Sequence, residues 1–164
     1  MAELTTNQSG DLGELWARVH LSRPVGGRFR RALFQATPLG GKYPTVDLIV
    51  DVLDPDSEPI GFLFAQVKAT QAASRGGAQQ SLTVDAERYR RLTRLRAPAY
   101  LIGVDIGDAR SYITAATPPA PGALPSIPRD YPLTDDKIRV ALYREVVSFW
   151  GRRPRPQRSE FRNV

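Results

Sequence analysis

The chain contains no cysteine, which excludes disulfides, thiolate metal centres and cysteine nucleophiles from its chemistry. It holds a single histidine, His20, at the end of an apolar-periodic segment. One imidazole in that place reads as a surface residue favoured by the helix dipole, not as a catalytic base. Lysine is nearly missing: Lys42, Lys68 and Lys137 stand against twenty arginines, so a lysine is a less ordinary choice here than an arginine. No apolar run approaches the ~18 residues that a membrane span needs, and Met1–Thr6 lacks the basic and apolar parts of a signal peptide. The expectation is a soluble, cytoplasmic protein with no membrane partner.

What is present is basic. The formal charge of +6 favours polyanions, and among these nucleic acid, probed through clustered arginines. A chain of 164 residues is expected to form one domain over residues 1–150. Residues 151–164 follow as a tail in which Arg152, Arg153, Arg155 and Arg158 are interrupted by Pro154 and Pro156; this tail is expected to be disordered.

Periodicity divides the chain. Leu12, Leu15, Trp16 and Val19 recur at helical spacing and predict an amphipathic helix over 11–21, with Glu14 roughly opposite its apolar stripe. Ala32–Ala36 predicts a short strand. Val46–Val52 and Phe62–Lys68 predict two more, joined through the turn residues of 54–59 as a hairpin. Residues 69–80 are small and polar and predict a mobile loop above that hairpin. Asp85 predicts a cap for a helix from 86 to about 96, packed by Ala86, Tyr89, Leu92 and Leu95. On it Arg88, Arg90, Arg91, Arg94 and Arg96 crowd together, which suits a face that tracks phosphates or one of ordinary snorkelling side chains. Ala99–Ile106 predicts a central strand of an α/β sheet, paired across Gly107–Asp108 with Ser111–Ala116. A proline-rich crossing over 117–132 leads to a last helix, capped by Thr134 and packed through Ile138, Ala141, Leu142, Val146 and Phe149.

The hairpin carries the chemistry. Alternation puts Gln66 and Lys68 on one face, about 7 Å apart. A hairpin folded symmetrically about Ser57 and Glu58 sets Asp47 opposite Lys68. An acid, an amide oxygen and an ammonium on one patch can hold a hard cation through oxygens and waters, with the lysine steadying a water or a phosphate oxygen. The plain alternative is an exposed hairpin face of unrelated polar residues.

Helix, short strand, Asp-bearing strand, Gln-x-Lys strand, helix, apolar strand is an order that resembles the PD-(D/E)XK nuclease superfamily. The resemblance is to its bacterial branch of uncharacterised domains with a D…QxK motif. It rests on Gly13-Glu14, on Val46-Asp47-Leu48 and on Phe64-Ala65-Gln66-Val67-Lys68-Ala69-Thr70, and it runs over about residues 11–116. It implies a restriction-endonuclease-like three-layer core, with a mixed central sheet flanked by helices. It also implies a nuclease site in which Asp47, Gln66 and Glu14 hold magnesium or manganese and Lys68 positions the attacking water. Arg75, Arg88, Arg91, Arg94 and Thr70 are the candidates for nucleic-acid contact. Two departures from the pattern stand out: Tyr43-Pro44-Thr45-Val46 replaces an extra acid and a glycine before Asp47, and Gln66 is neutral where many relatives have glutamate. The expected function is a metal-dependent endonuclease on DNA, in a defence or DNA-processing setting and as a possible homodimer. The alternative is a degenerate nuclease-fold module that binds nucleic acid or a protein partner, such as a defence or toxin assembly.

Overall fold

Thr5 and Gln8 cap one another, and this reciprocal pair starts the first helix five residues before its apolar pattern suggests. The Gln8 N–H donates to Thr5 Oγ1 at 3.3 Å, and the Thr5 N–H donates to Gln8 Oε1 at 2.9 Å. Helix α1 therefore runs Thr6–Ser22. Here the computed structural model describes residues 4–40, 43–71, 79–80, 85–118 and 127–151. The expectations for Arg75 and for the basic tail from 152 onward lie outside the described residues.

The strands follow as β1 (Phe34–Pro38), β2 (Leu48–Leu53), β3 (Pro59–Thr70) and a short β4 (Gln79–Gln80). Helix α2 (Ala86–Leu92), β5 (Ala99–Asp105), β6 (Arg110–Ala115), β7 (Ile127–Pro128) and α3 (Asp136–Gly151) complete the order. Five strands form one mixed sheet in the order β1-β2-β3-β5-β6, parallel only between β3 and β5. Strands β4 and β7 pair as a separate two-stranded piece. The protein is thus α/β, as expected.

Alternation along the strands divides the core in two. Leu48, Val50, Leu63, Ala65, Val67, Ile102 and Val104 pack with α1 and α3. Phe64, Leu101 and Tyr112 pack with Tyr89 and Leu92 of α2 on the other side. No described helix is long and apolar enough to cross a membrane.

Helix α1 corrects the sequence expectation. Its buried positions are Ser9, Gly13, Ala17, His20 and Leu21, whereas Leu15 and Val19 of the predicted stripe are 50% and 46% exposed. The cause is close packing. A Cβ on Gly13 would lie 2.5 Å from Ala69 Cβ, so the helix rests on β3 through its smallest residues. His20 is likewise buried, not on the surface: its ring stacks on Trp16 and its Nδ1 lies 2.7 Å from Ser111 Oγ.

The hairpin register also differs. Leu48 pairs with Ala65 and Val52 with Gly61, which shifts the pairing by two residues from one centred on Ser57 and Glu58. Asp54 decides this, because its carboxylate accepts the N–H groups of Asp56 and Glu58 at 2.9 Å each and fixes an Asx turn. Ser57 takes the left-handed conformation, φ 68°, within that turn. A register shift at Val52/Leu53 accommodates the remainder.

Helix α2 is shorter than its arginine pattern, ending at Leu92 with Thr93 as C-cap. The Thr93 hydroxyl donates to the Arg90 carbonyl at 3.0 Å, and Arg94 and Arg96 lie beyond the helix. In α3 it is Asp135, not Thr134, whose carboxylate caps, accepting the Lys137 N–H at 2.8 Å. The same helix buries Arg139 completely. Its guanidinium donates to the Leu133 carbonyl and ion-pairs with Asp136, which in turn accepts the Gly26 N–H at 2.8 Å.

Candidate functional site

Strand β2 begins only at Leu48, so β3 continues past it from Gln66 to Thr70 without that neighbour. Asp47 closes the end of the ladder. Its N–H donates to the Ala65 carbonyl at 3.0 Å, and its carboxylate accepts the Val67 N–H at 2.6 Å. These two bonds bracket Gln66. Asp47 therefore flanks Gln66, and Lys68 lies two residues farther along, a correction to the expected Asp47–Lys68 opposition.

Gln66 and Lys68 share the face of β3 that carries Phe64, opposite the one on which α1 rests. Gln66 is 2% exposed, and its Oε1 has no hydrogen-bond partner among the described residues. An orphaned buried acceptor of this kind costs ~1–3 kcal/mol in the absence of a donor or cation. Lys68 is half-buried and lines a cleft of about 480 Å³ with Ser9, Gly10 and Thr70.

Glu14 follows Gly13, the residue that brings α1 against Ala69 of β3. Burial pushes the Glu14 carboxyl above its ordinary range, and the negative charges of Asp47 and Asp11 push it further, against Arg18. Burial also raises Asp47, opposed by the Val67 N–H and by the positive charges of Lys68 and Arg88. Two carboxylates thus meet in a setting where each resists ionisation. The close approach at Gly13 brings α1 near enough to β3 for Glu14, away from the apolar stripe, to sense the charge of Asp47.

Asp47 is the common point of the site: it closes the strand end beside Gln66, and its charge interacts with those of Glu14, Lys68 and Arg88. Arg91 instead forms an exposed ion pair with Glu87 one helical turn away. Arg94 is exposed beyond the end of α2, and Thr70 ends β3 in register with the buried Asp105. Gln71 was not anticipated. Its side chain holds the start of α1, accepting the Leu4 N–H at 3.1 Å and donating to the Leu4 carbonyl at 2.9 Å. The Thr5-x-x-Gln8 spacing was the available signal that α1 begins early enough to be held there.

The described residues contain no group of three His, Cys, Asp or Glu side chains close enough to hold a metal. Any cation here would rely on two carboxylates and the Gln66 amide. No protein family, curated protein or solved structure matches the chain.

Proposed function

We propose that the chain is a metal-dependent phosphodiesterase acting on DNA, built on a restriction-endonuclease-like core. The succession α1, antiparallel β1-β2-β3, α2 and a β5 parallel to β3 supports the fold half of this reading. The observation that carries the chemical half is Gln66 Oε1, a buried oxygen without a donor among the described residues, next to a carboxylate that burial has made reluctant to ionise. Hard cations take oxygen ligands, and this donor set of two carboxylates and an amide fits one. Glu14, Asp47 and Gln66 would hold magnesium or manganese, which supplies Lewis-acid polarisation of a phosphate oxygen and a more acidic water.

The remaining work falls to the chain. Lys68 Nζ donates a hydrogen bond to the attacking water or to a non-bridging oxygen, where negative charge grows in the transition state. Arg88, whose charge reaches Asp47, approaches the same phosphate from α2. Asp47 keeps its geometry through the Val67 N–H, so its second oxygen stays aimed while the first is occupied.

A second reading has an observation in its favour. The absence of a three-carboxylate group among the described residues suits a module that binds nucleic acid or a protein partner without cutting. Plasmid cleavage with magnesium or manganese separates the two, with DNA affinity measured in parallel. Cleavage by the wild type that vanishes in Lys68→Ala and Asp47→Ala, with affinity largely kept, supports the enzyme. A wild type inert on supercoiled, linear and single-stranded DNA with either ion overturns it.

A further inference from the structure

The sequence places its clearest helical apolar stripe on α1, and the fold turns that stripe outward. Leu15 and Val19 are about half exposed, and Leu12 and Trp16 beside them are only partly covered. Contiguous apolar side chains rimmed by charge on a well-packed helix mark an interaction face. Position 12, 15 and 19 follow an a, d, a spacing, which makes Asp11 and Arg18 the two g positions on one flank. Arg18 Nε is buried and has no hydrogen-bond partner among the described residues.

We infer that α1 pairs with α1 of a second copy, antiparallel, through Leu12, Leu15, Trp16 and Val19. The charges select this occupant and this direction. In an antiparallel pair g faces g, so Asp11 of each helix meets Arg18 of the other, twice by symmetry. A parallel pair sets g against e of the next heptad, which leaves Asp11 facing Trp16 and puts the partner position of Arg18 past Ser22, the last residue of the other helix. The first arrangement joins opposite charges, and the second leaves both without a charged partner on the facing helix. A face complementary to itself on reversal is what a two-fold interface requires. One helix of 17 residues offers a modest area, so the association is concentration-dependent.

Sedimentation equilibrium over a concentration series, with circular dichroism to verify folding, tests the pairing. The wild type is expected to be a monomer–dimer mixture, and Leu15→Glu with Val19→Glu is expected to be a folded monomer. Asp11→Arg is expected to weaken the dimer about tenfold, and Asp11→Arg combined with Arg18→Asp is expected to restore it. A wild type that stays monomeric up to about 1 mM overturns the inference, including the case in which a different protein covers the stripe. A dimer that survives Leu15→Glu with Val19→Glu, or a charge swap that fails to restore it, overturns it equally.

Discussion

The carboxylate of Asp47 accepts the Val67 N–H at 2.6 Å and so terminates the β2–β3 ladder with a side chain in place of a backbone carbonyl. The bond serves geometry more than ionisation, since burial still raises the Asp47 carboxyl above its unfolded value of 3.8 and that of Glu14 above 4.5. A group with a raised folded pKa binds more protons folded than unfolded in the interval between the two values. Its stabilising contribution is complete below the unfolded value and is lost as pH rises through the folded one. Asp47→Asn keeps an acceptor for Val67 but cannot titrate. Urea denaturation followed upward in pH from the unfolded value of 3.8 should therefore show the variant gaining on the wild type as pH rises. A difference that stays flat, or that favours the wild type with rising pH, would show that Asp47 ionises freely.

A cation in the site should reverse that cost. At roughly ten times its Kd, magnesium or manganese stabilises the folded state by ~1.4 kcal/mol, equivalent to a Tm rise of about 3–5 °C. Calorimetry should show the rise in the wild type and its loss in Asp47→Asn and Glu14→Gln. Lys68→Ala should keep the rise while losing cleavage, because the lysine handles water and phosphate and does not ligate. Equal loss of both properties in Lys68→Ala would move that residue from chemistry to site assembly.

Gln66 gives a test with the opposite sign for stability. Its Oε1 is a buried acceptor without a partner among the described residues, and Gln66→Leu removes it at similar volume. The variant should be more stable than the wild type without metal by ~1–2 kcal/mol, and should lose the response to magnesium. Denaturation with and without the ion reads both effects. Destabilisation without metal would mean that the amide makes a structural contact that Leu cannot replace.

Alternation made the strands readable: the apolar runs at 46–52, 62–68, 99–106 and 111–116 all lie on observed strands, within a few residues. Gln66 and Lys68 share a face for the same reason. What alternation cannot report is register, which Asp54 sets through two backbone hydrogen bonds in the turn. Nor does an apolar pattern report which face of a helix is buried when glycine and alanine make the contact. Gly13 and Ala17 carry little hydrophobic signal, yet they determine how α1 sits, while Leu15 and Val19 carry a strong signal and face outward. The arginines of 88–96 read as one helical face only until Thr93 ends the helix.

Gly13 should be intolerant of the smallest side chain. In an exposed helix Gly→Ala stabilises by ~1 kcal/mol, but here the new Cβ meets Ala69 Cβ at 2.5 Å. Overpacking of this kind costs ~1–3 kcal/mol, so Gly13→Ala should be net destabilising and should lift Glu14 away from Asp47. Ala69→Gly removes the opposing methyl. A double-mutant cycle should then show that Gly13→Ala costs less in that background, with a coupling of at least ~1 kcal/mol. Additive effects would mean that α1 adjusts without strain.

His20 is the one imidazole in the chain, so its titration can be followed without assignment. Burial lowers its pKa below the ordinary 6.5, and the positive charges of Arg139 and Arg23 lower it further. Its ring stacks on Trp16 and its Nδ1 lies 2.7 Å from Ser111 Oγ. The unfolded chain protonates first as pH falls, so stability is complete above 6.5 and declines from there down to the folded value. Proton NMR should place the folded titration below 6.5, and denaturation should show a loss of stability on acidification through that window. His20→Gln should abolish this loss while leaving the contributions of the carboxylates in place. A folded pKa above 6.5 would mean that the ring is held charged, and would require an anion facing it that neither Ser111 nor Trp16 provides.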